Sequence, residues 1–124
     1  MRGIPRRESL GWRKKANKLL SDKFVVVHAL RDREARETLP DFRMAIARDK
    51  KDIISSDLVL VNDAFENASM IGTAMEVLFA YELHKPVIVF GKAHDRDYWL
   101  NYHSHLRVNT LGEACKIINK FFAK

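Results

Sequence analysis

Two acidic residues, Asp49 and Glu76, have the type and placement to carry chemistry. Glu76 follows Gly72 and Thr73 at the start of a predicted helix, and the apolar run Leu58–Val61 before it predicts a buried strand. Ligands of open parallel sheets bind beyond the carboxyl ends of the strands and beside the helices that follow. We therefore expect Glu76 to face a ligand, and the helix amino terminus to favour its anionic form.

Asp49 is the candidate partner of Glu76. On a helical wheel it shares one face of a predicted helix, residues 41–56, with the apolar residues Phe42, Ala45, Ile46 and Ile53. A carboxylate in such a stripe is costly unless it is paired or lies in a cavity, so a buried Asp–Arg pair or a tilted helix would also explain it. Two carboxylates in one cavity suit glycosidic chemistry, in which one attacks the anomeric carbon and the other manages protons.

The elements that must position these carboxylates follow from hydrophobic periodicity. Strands are predicted at Phe24–Leu30, Leu58–Val61, Val87–Phe90 and Leu106–Val108, and helices from Ser9 (as N-cap) to Leu20, over 41–56, at Gly72–Leu83 and from Leu111 to Phe122. The segments expected to be loops are the charged stretch Arg31–Pro40, as a flap, and the polar stretch Lys92–Ser104. The alternation predicts one α/β domain over residues 1–124, a three-layer flavodoxin- or Rossmann-like fold whose mostly parallel sheet has helices on both faces.

The predicted order of elements begins with a helix, where a fold of this class begins with a strand. In a flavodoxin-like sheet that first strand is central, so its absence would be costly. Upstream residues could supply it, Met1–Ile4 could form a stub, or the sheet could be rearranged. We expect the first strand to be missing or truncated.

Composition limits the class of protein. The chain has 124 residues, a net charge of +6 and one cysteine, Cys115, which excludes an internal disulfide and predicts a cytoplasmic protein. No apolar run is long enough to span a membrane. The positive charge suggests an anionic partner, and the basic cluster near the amino terminus is either a solvated helix face or a phosphate site. The residues predict neither a metal site nor a cofactor motif, since no glycine-rich nucleotide fingerprint is present.

Three stretches resemble the nucleoside 2-deoxyribosyltransferase family and its nucleotide N-hydrolase relatives. They are Asp57-Leu-Val-Leu-Val, Gly72-Thr-Ala-Met-Glu76-Val-Leu-Phe-Ala80 and Lys85-Pro-Val-Ile-Val-Phe90. Met1-Arg-Gly-Ile-Pro5 also resembles the loop after the first strand of that family. The resemblance implies that Glu76 is the nucleophile, that Asp49 contacts the base, and that no cofactor is required.

The polar residues that end the predicted strand, together with the resemblance, predict a set of residues that bind a nucleoside or nucleotide substrate. They are Gly3 and Arg6 in the first loop, Asn62 and Asp63 at the strand end, Ser69, Gly72 and Thr73 around the helix start, and Asn101, which resembles an asparagine that reaches a neighbouring subunit's sugar. The match is incomplete. Met70 stands where the transferases have an acidic residue, and Ser69 is displaced by one position from the serine of the hydrolases. Base, sugar and acceptor therefore stay open.

Other functions compete with glycosidic cleavage. A non-catalytic nucleotide-binding or regulatory module could keep the crevice without turnover. A nucleic-acid-binding protein agrees with the pI of about 9.6, but the sequence lacks a basic helix interleaved with exposed aromatic residues, so nucleic acid is not the expected partner. We also expect a homodimer or higher homo-oligomer, formed through the strand-end loops and the Gly72–Leu83 helix, because Tyr98, Trp99 and Tyr102 lie in a polar stretch.

Overall fold

A computed structural model describes the backbone of residues 6–27 and 42–123, and the side chains of residues 11–27 and 42–123. Helices and strands alternate through the second of these ranges. The elements are α1 (Arg6–Leu20), α2 (Phe42–Ser55), β1 (Val59–Asn62), α3 (Ile71–Glu82), β2 (Val87–Phe90), α4 (Tyr98–His103), β3 (Leu106–Val108) and α5 (Leu111–Phe121).

The described strands form a parallel sheet in the order β1-β2-β3. Val59 pairs with Val87 at the start of β1, and Ile88 of β2 pairs with Leu106 of β3. Each connection between strands contains a helix, as parallel pairing requires. The predicted α/β class is confirmed.

Alternating side chains of the strands divide the core into two layers. Leu60 and Phe90 pack with α1 and α5 on one face of the sheet. Val61 and Val89 pack with α2, α3 and α4 on the other face. The sheet therefore lies between two helical layers, which is the predicted three-layer arrangement.

The layer of α1 and α5 contains the only cysteine of the chain. Cys115 is 2% exposed and packs in the same core cluster as Ala16 of α1. Burial raises the pKa of its thiol, and the nearby charge of Lys15 opposes this effect. Asn119 of α5 donates a hydrogen bond of 3.2 Å to the carbonyl oxygen of Leu19, so polar and apolar contacts both join the two helices.

Three local predictions were wrong. α1 begins at Arg6, so Ser9 is inside the helix and is not its N-cap. The polar stretch Lys92–Ser104 contains α4, which Asp97 caps by accepting a hydrogen bond from the Leu100 amide at 3.0 Å. Residues 24–27 carry no strand, although their β-branched residues predicted one, and residues 28–41 lie outside the described ranges together with the expected flap.

No helix within the described residues combines the length and apolar character that a bilayer crossing requires.

Candidate active site

A cavity of about 690 Å³ runs beside β1, and both candidate carboxylates lie in its wall. Glu76 comes from the second turn of α3 and Asp49 from the middle of α2. The two helices pack side by side on the same face of the sheet, and Ile53 and Val77 in their contact belong to one core cluster. This packing explains why a carboxylate occurs within the apolar stripe of α2, since Asp49 points to the cavity.

The electrostatics of Glu76 differ from the prediction. Burial in the cavity wall, and then the negative charge of Asp49, raise the pKa of Glu76 to about 7. Glu76 as a whole residue is exposed to solvent, yet the protein atoms around its carboxyl group remove part of the hydration of that group. The expected helix-end stabilisation fails because Glu76 lies beyond the first turn of α3, where the helix dipole has little effect.

Arg13 is a cavity residue that the sequence-based site did not include. It is half-buried on α1, and its guanidinium lies 4.6 Å from the centre of the Trp12 ring. Trp12 in turn packs edge-on against Phe90 of β2, with ring centres 5.5 Å apart. Arg13 lowers the pKa of Glu76, whereas burial lowers the pKa of Arg13 itself. In the sequence, Arg13 lies next to the apolar stripe of α1, and this position could have indicated that it borders the protein interior.

Two of the predicted substrate-binding residues line the cavity. Asn62 is the last residue of β1, is 4% exposed, and accepts a hydrogen bond of 2.8 Å from the Ala64 amide. Thr73 is half-buried one turn before Glu76 on α3. Both residues therefore share the cavity with the two carboxylates.

Ser69 and Gly72 lie near the start of α3 and are exposed, and neither lines the cavity. Met70 occupies the N-cap position of α3 and provides no side-chain hydrogen bond to the first amide groups. Neither Ser69 nor Gly72 is therefore part of the cavity wall.

Asp63 does not line the cavity, contrary to its predicted role. Its side chain is fully buried, and Arg107 Nη1 donates to its Oδ2 at 2.7 Å. His94 Nδ1 lies 2.6 Å from Oδ1, and the His94 amide donates to Oδ2 at 3.0 Å. Both carboxylate oxygens are thus occupied within the protein, so Asp63 holds the strand ends together.

Asn101 belongs to the same network as Asp63. Its side-chain oxygen accepts from Arg107 Nη2 at 3.1 Å, and its amide group donates to the carbonyl oxygen of Asp95 at 2.7 Å. Reaching a neighbouring subunit would require these bonds to break. Gly3 lies outside the described residues, as does the side chain of Arg6, whose backbone begins α1.

The fold is similar to that of a known enzyme. A solved structure of a 2-deoxyribosyltransferase from the psychrotolerant bacterium Bacillus psychrosaccharolyticus superposes with a TM-score of 0.65, covering 86% of this chain and 81% of that chain at 23% identity. No family model matches the sequence, and no curated protein matches it in a sequence search. At this level of identity the similarity shows the fold.

Proposed function

We propose that this protein is a single-domain enzyme that cleaves the N-glycosidic bond of a deoxynucleoside or its 5′-monophosphate, through a covalent sugar ester on Glu76. The observation that carries the proposal is the pair of carboxylates, Glu76 and Asp49, in the wall of one cavity. Similarity in fold to a 2-deoxyribosyltransferase supports the same chemistry.

In the first step, a carboxylate oxygen of Glu76 attacks C1′ of the sugar. The bond between C1′ and the base nitrogen breaks, its electron pair leaves with the base, and the base takes up a proton that comes from water, either directly or relayed by Asp49. In the second step, water or another base attacks C1′ and releases the sugar from Glu76. A hydrolase and a transferase differ only in this second step.

The environment of Glu76 suits a nucleophile that changes charge during the reaction. Asp49 and the cavity wall disfavour the carboxylate, which has a pKa of about 7, and ester formation removes that charge. Arg13 opposes this effect, so a substantial fraction of Glu76 is ionised at neutral pH. Asn62 and Thr73 line the same cavity, and in this proposal they contact the sugar or the base.

The test is incubation with a panel of deoxynucleosides and their 5′-monophosphates, with chromatography to detect free base. A slow 2-fluoro sugar substrate should leave an adduct on the peptide that carries Glu76, detected by mass spectrometry. Glu76→Gln should reduce turnover by orders of magnitude, and Asp49→Asn by roughly 10²–10⁴-fold.

Glu82→Gln is the matched control, since Glu82 is exposed at the far end of the same helix. It should leave turnover unchanged. Saturable binding of nucleotides without release of base would favour the non-catalytic nucleotide-binding module. Turnover that persists in Glu76→Gln would overturn the assignment of the nucleophile.

A further inference from the structure

The cavity beside β1 is not confined to the carboxyl ends of the strands. It follows β1 from Asp57 to Asn62, so it extends along the whole strand. Core residues of both helical layers reach it: Ala16, Leu20 and Ile118 from the layer of α1 and α5, and Ile53 and Val77 from the layer of α2 and α3. A cavity that touches both layers passes through the plane of the sheet. We refer to this part of the cavity as the slot.

One side of the slot is the outer edge of β1. Val59 and Asp63 donate their backbone N–H groups toward β2, to Pro86 and Phe90. Alternate residues of a strand direct their backbone groups to opposite edges, so Leu60 and Asn62 direct theirs into the slot. In the described part of the chain β1 has β2 as its only strand neighbour.

The other side of the slot is the segment Phe24–Val27, which also lines the cavity. Phe24 and Val26 pack against the core cluster of α1 and α5, as Leu58 and Leu60 do. Val25 and Val27 face the opposite way and are 94% and 45% exposed. This alternation is that of a strand in the same sheet, although no strand pairing is present there.

The cavity is large enough to hold one strand. Four residues of strand span about 13 Å, neighbouring strands are about 4.8 Å apart, and packed layers are about 10 Å apart, which together enclose roughly 600 Å³. The whole cavity, of which the slot is a part, measures about 690 Å³. Its wall also contains the buried indole N–H of Trp12, for which no acceptor is found within the described structure, and a backbone carbonyl in the slot could supply one.

We propose that the slot binds an extended polypeptide segment with apolar side chains on both faces, which adds as a strand between β1 and Phe24–Val27. Backbone hydrogen bonds to Leu60 and Asn62 would give affinity, and the apolar walls would select the side chains. The bound strand would pair with Phe24–Val27, which explains why that segment has the pattern of a strand without its hydrogen bonds. This inference goes beyond the proposed function, and it does not depend on catalysis.

The test uses the full chain and a capped eight-residue peptide of alternating valine and isoleucine between terminal lysines. We expect saturable binding, a thermal midpoint that rises with peptide concentration, and amide exchange at Leu60 and Asn62 that slows by about tenfold or more. The matched control is the same peptide with N-methyl groups on alternate residues, which keeps the apolar side chains and blocks backbone pairing. It should not bind.

A pair of protein variants tests the location. Val27→Lys puts a charge in the slot and should weaken peptide binding by about tenfold or more. Met75→Lys, at an exposed apolar residue outside the cavity lining, should leave binding unchanged.

Three results would overturn the inference. They are no binding by the folded protein at several hundred micromolar peptide, equal binding of the N-methyl peptide, and slow exchange of Leu60 and Asn62 in the absence of any peptide. These measurements require no turnover, so their failure is distinct from a failure of glycosidic activity.

Discussion

Asp63 and Arg107, 44 positions apart in the chain, meet in an ion pair of 2.7 Å whose carboxylate is fully buried. The same guanidinium donates to the Gly91 carbonyl oxygen at 2.7 Å and to Asn101. One side chain of β3 thus joins the ends of β1 and β2 to α4. This ion pair therefore helps to fix the relative positions of the strand ends near the candidate site.

Arg107→Met should destabilise the protein by about 3–5 kcal/mol, because it leaves the Asp63 carboxylate buried without its guanidinium. Urea denaturation followed by circular dichroism measures this difference. Arg96→Met, at an exposed position in the loop before α4, is the control and should change stability by less than about 0.5 kcal/mol. Equal stabilities of the two variants would show that the ion pair contributes little.

Gly91→Ala should also destabilise the fold, by more than about 1 kcal/mol. Gly91 has a φ of +93°, and an added Cβ would lie 2.5 Å from the Asp63 carbonyl oxygen. Gly112→Ala is a control with the opposite sign. Gly112 is within α5, where the nearest atom to an added Cβ is at 3.9 Å, so alanine should stabilise by roughly 0.5–1 kcal/mol. Thermal unfolding of both variants tests the contrast.

The ionisation of Glu76 should make stability depend on pH. Its pKa is raised from 4.5 to about 7 in the folded protein, so between these values the folded state holds a proton that the unfolded state releases. The contribution of this group to stability is present below about pH 4.5 and is lost as the pH rises toward 7.

Glu76→Gln should therefore flatten the fall in stability between pH 5 and pH 8. The stability of the variant relative to that of the wild type should increase as the pH rises. Thermal midpoints across this range measure the effect. Glu66→Gln, at an exposed position before α3, should leave the pH profile unchanged. A Glu76→Gln profile parallel to that of the wild type would contradict the raised pKa.

Arg13→Met should raise the pKa of Glu76 further, because it removes a positive charge that favours the carboxylate. The higher pKa would lower kcat/KM on the acidic limb of the pH profile and leave the alkaline plateau unchanged. Lys18→Met removes an exposed charge from the same helix and is the control. Carbon-13 NMR of the Glu76 carboxyl measures the shift without turnover. Equal losses of activity at every pH would contradict this role.

Self-association should involve the aromatic face of α4. Tyr98, Trp99 and Tyr102 are 87%, 68% and 70% exposed, and with His103 they line a cavity of about 330 Å³. Trp99→Lys should shift the protein to monomer in sedimentation experiments at high micromolar concentration. Phe121→Lys alters a residue of similar exposure, 67%, on α5 and should not. A wild-type protein that is monomeric at that concentration would exclude the interface.

Local patterns in the sequence were enough to predict most of the sheet. The strand Val87–Phe90 was predicted with its observed bounds, since a run of apolar residues after Pro86 leaves few alternatives. The wheel position of Asp49 and the strand end before Glu76 also indicated a common crevice, and both residues line one cavity. These predictions succeeded because each depends only on residues that are close together in the sequence.

The misassigned residues depend on contacts that are distant in sequence. Asp63 resembled a ligand-binding residue because it follows a buried strand, and nothing local indicates Arg107 as its partner. The shift in the pKa of Glu76 was predicted with the wrong sign, because burial and the charge of Asp49 disfavour the carboxylate and Glu76 lies beyond the first turn of α3. Phe24–Val27 has the local sequence pattern of a strand, but strand pairing also requires a neighbouring strand, which a local pattern does not reveal.

Because Cys115 is buried between α1 and α5, chemical labelling of its thiol can report on the separation of these helices. Alkylating reagents attack a thiolate that they can touch, and this thiol is 2% exposed with a raised pKa. Modification must therefore pass through states in which α5 has moved away from α1. As the chain has one cysteine, the rate of labelling under native conditions measures how often these two helices separate, with no introduced probe.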